Sequence, residues 1–160
     1  MPSQFEPLIL PVGTSGQLVV VAPNVLAHLD AHRQTRWWHK EAGGQLFATL
    51  APSRIEVSVA TGPRRSDRRS RFGYVPDVNA EKTEIELMYA GGLHYVGDWH
   101  THPQPIPIPS STDVQTLQGC FRLSRHDLNA FILIVVGRAE FPHGIYVAAV
   151  DANGAYQLKL

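Results

Sequence analysis

The alternation of apolar and polar positions marks out the elements before any chemistry is considered. Gln17 to Val21 is short and β-branched, and predicts a strand. Pro23 stands where a helix can begin, and Val25, Leu26, Leu29 and Trp37 keep to one helical face. A helix from Asn24 to Arg36 is expected, with His32, Arg33 and Arg36 at the negative end of its dipole. A strand from Gln45 to Leu50 follows. Pro52-Ser53 turns the chain, and Ile55, Val57 and Val59 alternate with Arg54, Glu56 and Ser58. That predicts a half-buried strand, hairpinned to the one before.

Thr61 to Tyr74 has no apolar period and reads as a mobile loop. Asp77 caps a helix with Val78, Ile85, Met88 and Tyr89 on one side, and Gly91-Gly92 ends it. Leu93 to His102 reads as a strand. Leu93, Tyr95 and Trp99 face one way; Val96, Asp98, His100 and His102 face the other. Ser110 or Ser111 then opens a helix with Val114, Leu117, Cys120, Phe121 and Leu123 inward. Ala130 to Gly137 is continuously apolar, as in a strand buried on both faces. His143 to Val150 and Tyr156 to Leu160 form a hairpin about an Asn-Gly turn. The order predicts an α+β, or mixed α/β, fold in one domain over 1–160, without internal repeats.

Composition narrows the function classes. Lys plus Arg and Asp plus Glu are equal at 14 each, so no global charge draws the chain to nucleic acid or an anionic membrane. Five arginines lie between Arg64 and Arg71, but without interleaved aromatics until Phe72 and Tyr74. A solvated loop is the plain account; a loop steering an acidic protein surface is the functional one. Cys120 is the single cysteine, so no internal disulfide and no cysteine-rich zinc site can form. No signal peptide or membrane span is expected, and the reading is a soluble cytoplasmic protein.

The chemistry concentrates in Gly97 to Asp113, G-D-W-H-T-H-P-Q-P-I-P-I-P-S-S-T-D. Residues two apart on a strand share a face, about 7 Å apart at their bases. His100 and His102 can therefore lean onto one metal ion, with Asp113 arriving from the next helix. Pro103, Pro105, Pro107 and Pro109 stiffen the connecting loop and lower the entropy cost of ordering it. Two imidazoles and a carboxylate suit a catalytic zinc. Plainer readings stand beside this. Ser-x-x-Asp is also a capping box, in which either Ser110 or Ser111 could be the cap. Asp98 is a rival third ligand, or an acceptor for a histidine ring N–H.

His-Thr-His-Pro, seven intervening residues and then Ser-x-x-Asp resemble the JAMM motif of the JAB/MPN metallopeptidases. The family's upstream glutamate, followed by two glycines and an apolar strand, is matched by Glu41-Ala42-Gly43-Gly44-Gln45-Leu46-Phe47. The stretch around His100 most resembles small stand-alone prokaryotic JAB proteins. The resemblance implies a curved central sheet flanked by helices, and one zinc per chain on His100, His102 and Asp113. It implies Glu41 as general base and Ser110 as a donor to the tetrahedral oxyanion. The reaction would be hydrolysis of a peptide or isopeptide bond at the C-terminus of a ubiquitin-like protein. Activating-like and conjugating-like proteins would be its companions, with neither nucleic acid nor membrane as partner. A silent MPN-type scaffold and a peptidase for small non-modifier substrates are the alternatives. Silent members generally lack part of the metal set, and this chain retains all of it.

Competing residues are set aside on physical grounds. Glu81, Glu84 and Glu86 fit the polar face of a helix, and Glu56 the polar side of a strand. Cys120 falls mid-helix on an apolar face, where a thiol is packing. A zinc deaminase needs a Pro-Cys-x-x-Cys pattern that one cysteine cannot supply.

Overall fold

The structure, a computed structural model, describes residues 4–160. Eight strands form one mixed sheet, in the order β1 (Leu8–Pro11), β2 (Leu18–Val21), β4 (Arg54–Ala60), β3 (Gly43–Ala51), β7 (His94–Thr101), β8 (Phe131–Val136), β9 (Ile145–Val150) and β10 (Ala155–Gln157). The edge strand β1 pairs antiparallel with β2. The sheet is α+β in character: β3 and β4 form the expected hairpin, and β7 lies on the other side of β3. A parallel step joins β7 to β8, and β9 and β10 complete a meander.

All six residues of β8 are buried because both faces are covered. Ile132, Ile134 and Val136 pack with Val25, Leu26 and Leu29 of α1 (Pro23–Asp30). Phe131, Leu133 and Val135 pack with Leu117 of α3 (Ser111–Leu123). One apolar run thus joins the cores on the two sides of the sheet, which is why it shows no alternation.

Several expected boundaries move. β1 was not among the expected elements. α1 ends at Asp30, not Arg36, and Trp37 is 75% exposed instead of sharing its inner face. The chain leaves the helix there because Gln34 turns inward and Arg33 reaches the Arg138 carbonyl. The arginine-rich stretch is not a free loop: β5 (Arg68–Ser70) and β6 (Gly73–Val75) form a two-stranded sheet of their own. α2 (Val78–Ala90) is capped by Asp77 as expected, but none of its residues is fully buried. Leu123 is 89% exposed, not inward.

The facing in β7 also differs. The register against β3 slips near Gly97, so Val96 and Trp99 share a core while Tyr95 joins the side of Asp98. Gly97 is required there, because a Cβ would lie 1.8 Å from the Ile132 carbonyl oxygen at a φ of +151°. Among the described residues, no helix is long and apolar enough to cross a membrane.

Candidate metal centre

The site forms where β7 leaves the sheet between β3 and β8. His100 lies opposite Gly43 on one side and Val135 on the other. His102 is just beyond β7 but stays extended, since its N–H donates to the Val136 carbonyl at 2.9 Å and the Thr101 N–H to the Ala42 carbonyl at 2.8 Å. The imidazoles therefore emerge on one face, with ring centroids 4.7 Å apart.

The proline loop closes over them. Its carbonyls tie it to the turn after β8: Arg138 N–H donates to the Gln104 carbonyl and Ala139 N–H to the Pro105 carbonyl. The Ile108 carbonyl accepts from Nδ1 of His102 at 3.0 Å. That bond puts a proton on Nδ1 and aims Nε2 into the site. The loop then delivers α3, whose N-cap is Ser110, not Ser111. Ser110 Oγ accepts from the Asp113 N–H at 3.1 Å, and an Asp113 carboxylate oxygen accepts from the Ser110 N–H at 2.7 Å.

That carboxylate oxygen, Oδ2, also faces the histidines. It lies 3.1 Å from His100 Nε2 and 3.3 Å from His102 Nε2, and the two Nε2 atoms are 3.1 Å apart. The edges of a tetrahedron built on zinc–nitrogen bonds are about 3.3 to 3.4 Å. Three donors of the right chemistry therefore sit at nearly the right spacing, and His100, His102 and Asp113 form a group that could hold a metal ion. Asp98, the rival ligand, is outside that group. Its carboxylate accepts from the Tyr95 hydroxyl instead of a histidine.

Electrostatics separate the carboxyl groups. Burial pushes Asp113 up, but hydrogen bonds from His100 and His102 outweigh it and hold the group well below the usual carboxylate range. Burial pulls His102 down, and the Asp113 carboxylate more than compensates, so its affinity for a proton rises. Glu41 precedes β3, 8% exposed, and burial raises it to about 7. No hydrogen bond to its carboxylate is found among the described residues. It lines the same cavity of about 410 Å³ as His100, His102, Ser110 and Asp113.

The glycine pair after Glu41 serves close approach, not a turn. A Cβ on Gly44 would lie 1.7 Å from the Thr61 carbonyl oxygen, and one on Gly43 2.6 Å from the Tyr74 ring. Tyr74 belongs to β6, so the arginine-rich segment walls the cavity. Three of its five arginines are internal fasteners: Arg64 pairs with Glu84 at 2.6 Å, Arg69 Nε donates to the Glu41 carbonyl at 2.7 Å, and Arg71 donates to the Trp37 carbonyl. Glu84 is thus a partner of Arg64 and Thr61 and not a solvated helix residue. Glu81 and Asp98 line the cavity too. Burial and the nearby Asp98 raise Glu81 to about 7, and burial raises Asp98 to about 6. Sequence reasoning weighed Asp98 only as a ligand or a histidine partner, and set Glu81 aside on a helix's polar face; an acidic residue at the edge of that face carries no mark of the cavity it borders.

The chain is similar to proteins named as isopeptidases and metalloproteases. A family model for prokaryotic homologs of the JAB domain matches residues 23–151. A CD-NTase/cGAS isopeptidase from Escherichia coli (strain TW11681) is 26% identical over 88% of this chain and 87% of its own. A probable metalloprotease from Sinorhizobium fredii is 32% identical over 55% of this chain and 57% of its own. The solution structure of a protein from Desulfitobacterium hafniense superposes with a TM-score of 0.60 at 20% identity, over 86% and 87% of the two chains, a likeness of fold alone. With the family model matching across β3, β7 and α3, which bring the three donors together, the chain belongs to the prokaryotic homologs of the JAB domain.

Proposed function

We propose that this chain is a zinc metallopeptidase that hydrolyses a peptide or isopeptide bond at the C-terminus of a ubiquitin-like protein. The carrying observation is the three donor atoms at 3.1 to 3.3 Å spacing, with a buried carboxyl group on the same cavity. The relatives named isopeptidase and metalloprotease support the reaction class. The isopeptidases are named for a CD-NTase or cGAS, and a conjugate of such an enzyme is the target we favour.

His100, His102 and Asp113 would hold the ion, and zinc there would supply Lewis-acid chemistry that acidifies water and polarises the scissile carbonyl. Glu41 takes the proton of the attacking water and returns it to the leaving amine. A carboxyl near 7 suits both transfers at neutral pH. The Ser110 hydroxyl serves the cap only as an acceptor, so its own O–H remains to donate to the tetrahedral oxyanion. The cap and the oxyanion role are compatible, where the sequence made them look like rivals.

The test uses purified protein and a ubiquitin-like domain with a C-terminal extension. Wild type should take up one zinc per chain. Glu41→Gln should retain it and lose turnover by at least about 100-fold. His102→Ala should lose zinc and turnover together. Folded wild type that takes up no zinc would sink the reading.

A further inference from the structure

Glu41 is offered as a proton carrier through its side chain, but its backbone sets where that side chain lies. All four polar groups of the Glu41–Ala42 pair are engaged. The Glu41 N–H donates to the Ser70 carbonyl at 2.8 Å, and the Glu41 carbonyl accepts from Arg69 Nε at 2.7 Å. The Ala42 carbonyl accepts from the Thr101 N–H at 2.8 Å, and the Ala42 N–H donates to Thr101 Oγ1 at 2.9 Å. Thr101 is the residue between His100 and His102. Its own hydroxyl donates to Gln34 Oε1 at 2.8 Å.

The direction of each bond is forced. Gln34 Nε2 reaches the Arg71 carbonyl at 2.9 Å and the His39 carbonyl at 3.3 Å, and carbonyls only accept. The amide must therefore present its nitrogen there and its oxygen to Thr101. The Thr101 hydrogen is then committed to Gln34, and its lone pairs turn to the Ala42 N–H. Gln34 is 1% exposed and Thr101 0%, so water cannot replace either partner.

We propose that Thr101 and Gln34 are positioning residues for Glu41, fixing its backbone against the strand that carries both histidines. The inference rests on the role given to Glu41 above. A carboxylate displaced by about 1 Å from its reacting proton loses up to about 100-fold in rate. Neither residue faces the three donors, so metal uptake is a separate quantity.

The experiment uses the zinc-loaded full chain and a ubiquitin-like protein carrying a fluorogenic amide at its C-terminus. Thr101→Val should keep one zinc per chain and lower kcat by about 10- to 100-fold, with KM changed by less than about twofold. Thr101→Ser restores the hydroxyl and should restore kcat. Hydrogen exchange at the Ala42 amide should quicken in Thr101→Val and not in Thr101→Ser. Crystals of zinc-loaded wild type and Thr101→Val should show the Glu41 carboxylate moved relative to the ion. Wild-type kcat in Thr101→Val, or an unmoved carboxylate, overturns the proposal. If Thr101→Val does not fold, Gln34→Glu takes its place, because a carboxylate cannot donate to the two carbonyls. If wild type does not turn over the probe, the proposed function fails, and the Glu41 position in the paired crystals still decides this inference.

Discussion

The two banks of the cavity are built by opposite means. One bank is the seam of β3 and β7, which carries Glu41 and the histidines. It is fixed by the core: Trp99 is 1% exposed, and neither Gly43 nor Gly44 has room for a Cβ. The other bank is the proline loop and the first turn of α3, which carry Ser110 and Asp113. It is fixed locally, by a capping box and a few carbonyl contacts, with Ile106 and Ile108 more than half exposed. The carboxyl groups follow the banks. Asp113 receives donors and stays ionised, while Glu41 is desolvated without donors and holds its proton to about 7. In the proposed function, one residue chemistry thus serves as a ligand on one bank and as a proton carrier on the other.

The largest effect tests the packed bank. Gly44→Ala forces a methyl against the Thr61 carbonyl, which is backbone and cannot rotate away. It should cost about 3 kcal/mol of stability in denaturant unfolding. A loss under about 0.5 kcal/mol, the range of ordinary surface substitutions, would show that the seam yields and the contrast between banks is false.

A smaller effect compares the two carboxyls. In chelator-treated protein at pH 7, Asp113→Ala removes an acceptor from the Ser110 N–H and both histidines, and should destabilise by about 2 kcal/mol. Glu41→Gln removes a charge that burial opposes and should stabilise, by less than about 1 kcal/mol because the amide has its own desolvation cost. Two changes that each remove one carboxylate should therefore have opposite signs. The same sign for both would erase the distinction.

The banks also differed in how far the sequence disclosed them. Most strands of the sheet, all three helices, the Asp77 cap and the meeting of His100, His102 and Asp113 were readable from period and spacing. These depend on local pattern: a strand repeat of two, a helix opened by Ser or Asp, a stiff loop of set length. What stayed hidden depends on distant partners. Gln34 lay within a run of helical period, and the carbonyls of His39, Arg71 and Arg138 explain why the chain leaves the helix before it. The arginines suggested a solvated loop because the partners of Arg64, Arg69 and Arg71, namely Glu84, the Glu41 carbonyl and the Trp37 carbonyl, lie 20 or more positions away. The slip at Gly97 follows from Ile132 in a neighbouring strand, so strict alternation misplaced Tyr95.

The smallest effect is a slope, and it addresses both banks at once. In metal-free protein, Glu41 and Glu81 are raised from 4.5 to about 7, and Asp98 from 3.8 to about 6. His102 is raised above 6.5. In this window the folded chain binds more protons than the unfolded chain, so stability falls as pH rises toward 7. His32, lowered chiefly by burial, opposes this near 6.5, one group against four. Asp113 acts at the other end, because its contribution is present above 3.8 and lost as the pH falls below it. The melting temperature should therefore peak near about pH 4 to 5 and decline toward neutrality. Glu41→Gln should flatten part of the decline without touching the acid limb. With saturating zinc the slope should reverse, since binding the ion displaces the His102 proton and favours charged Glu41. Curves that decline alike with and without zinc would mean that the ion and these protons do not compete for one place.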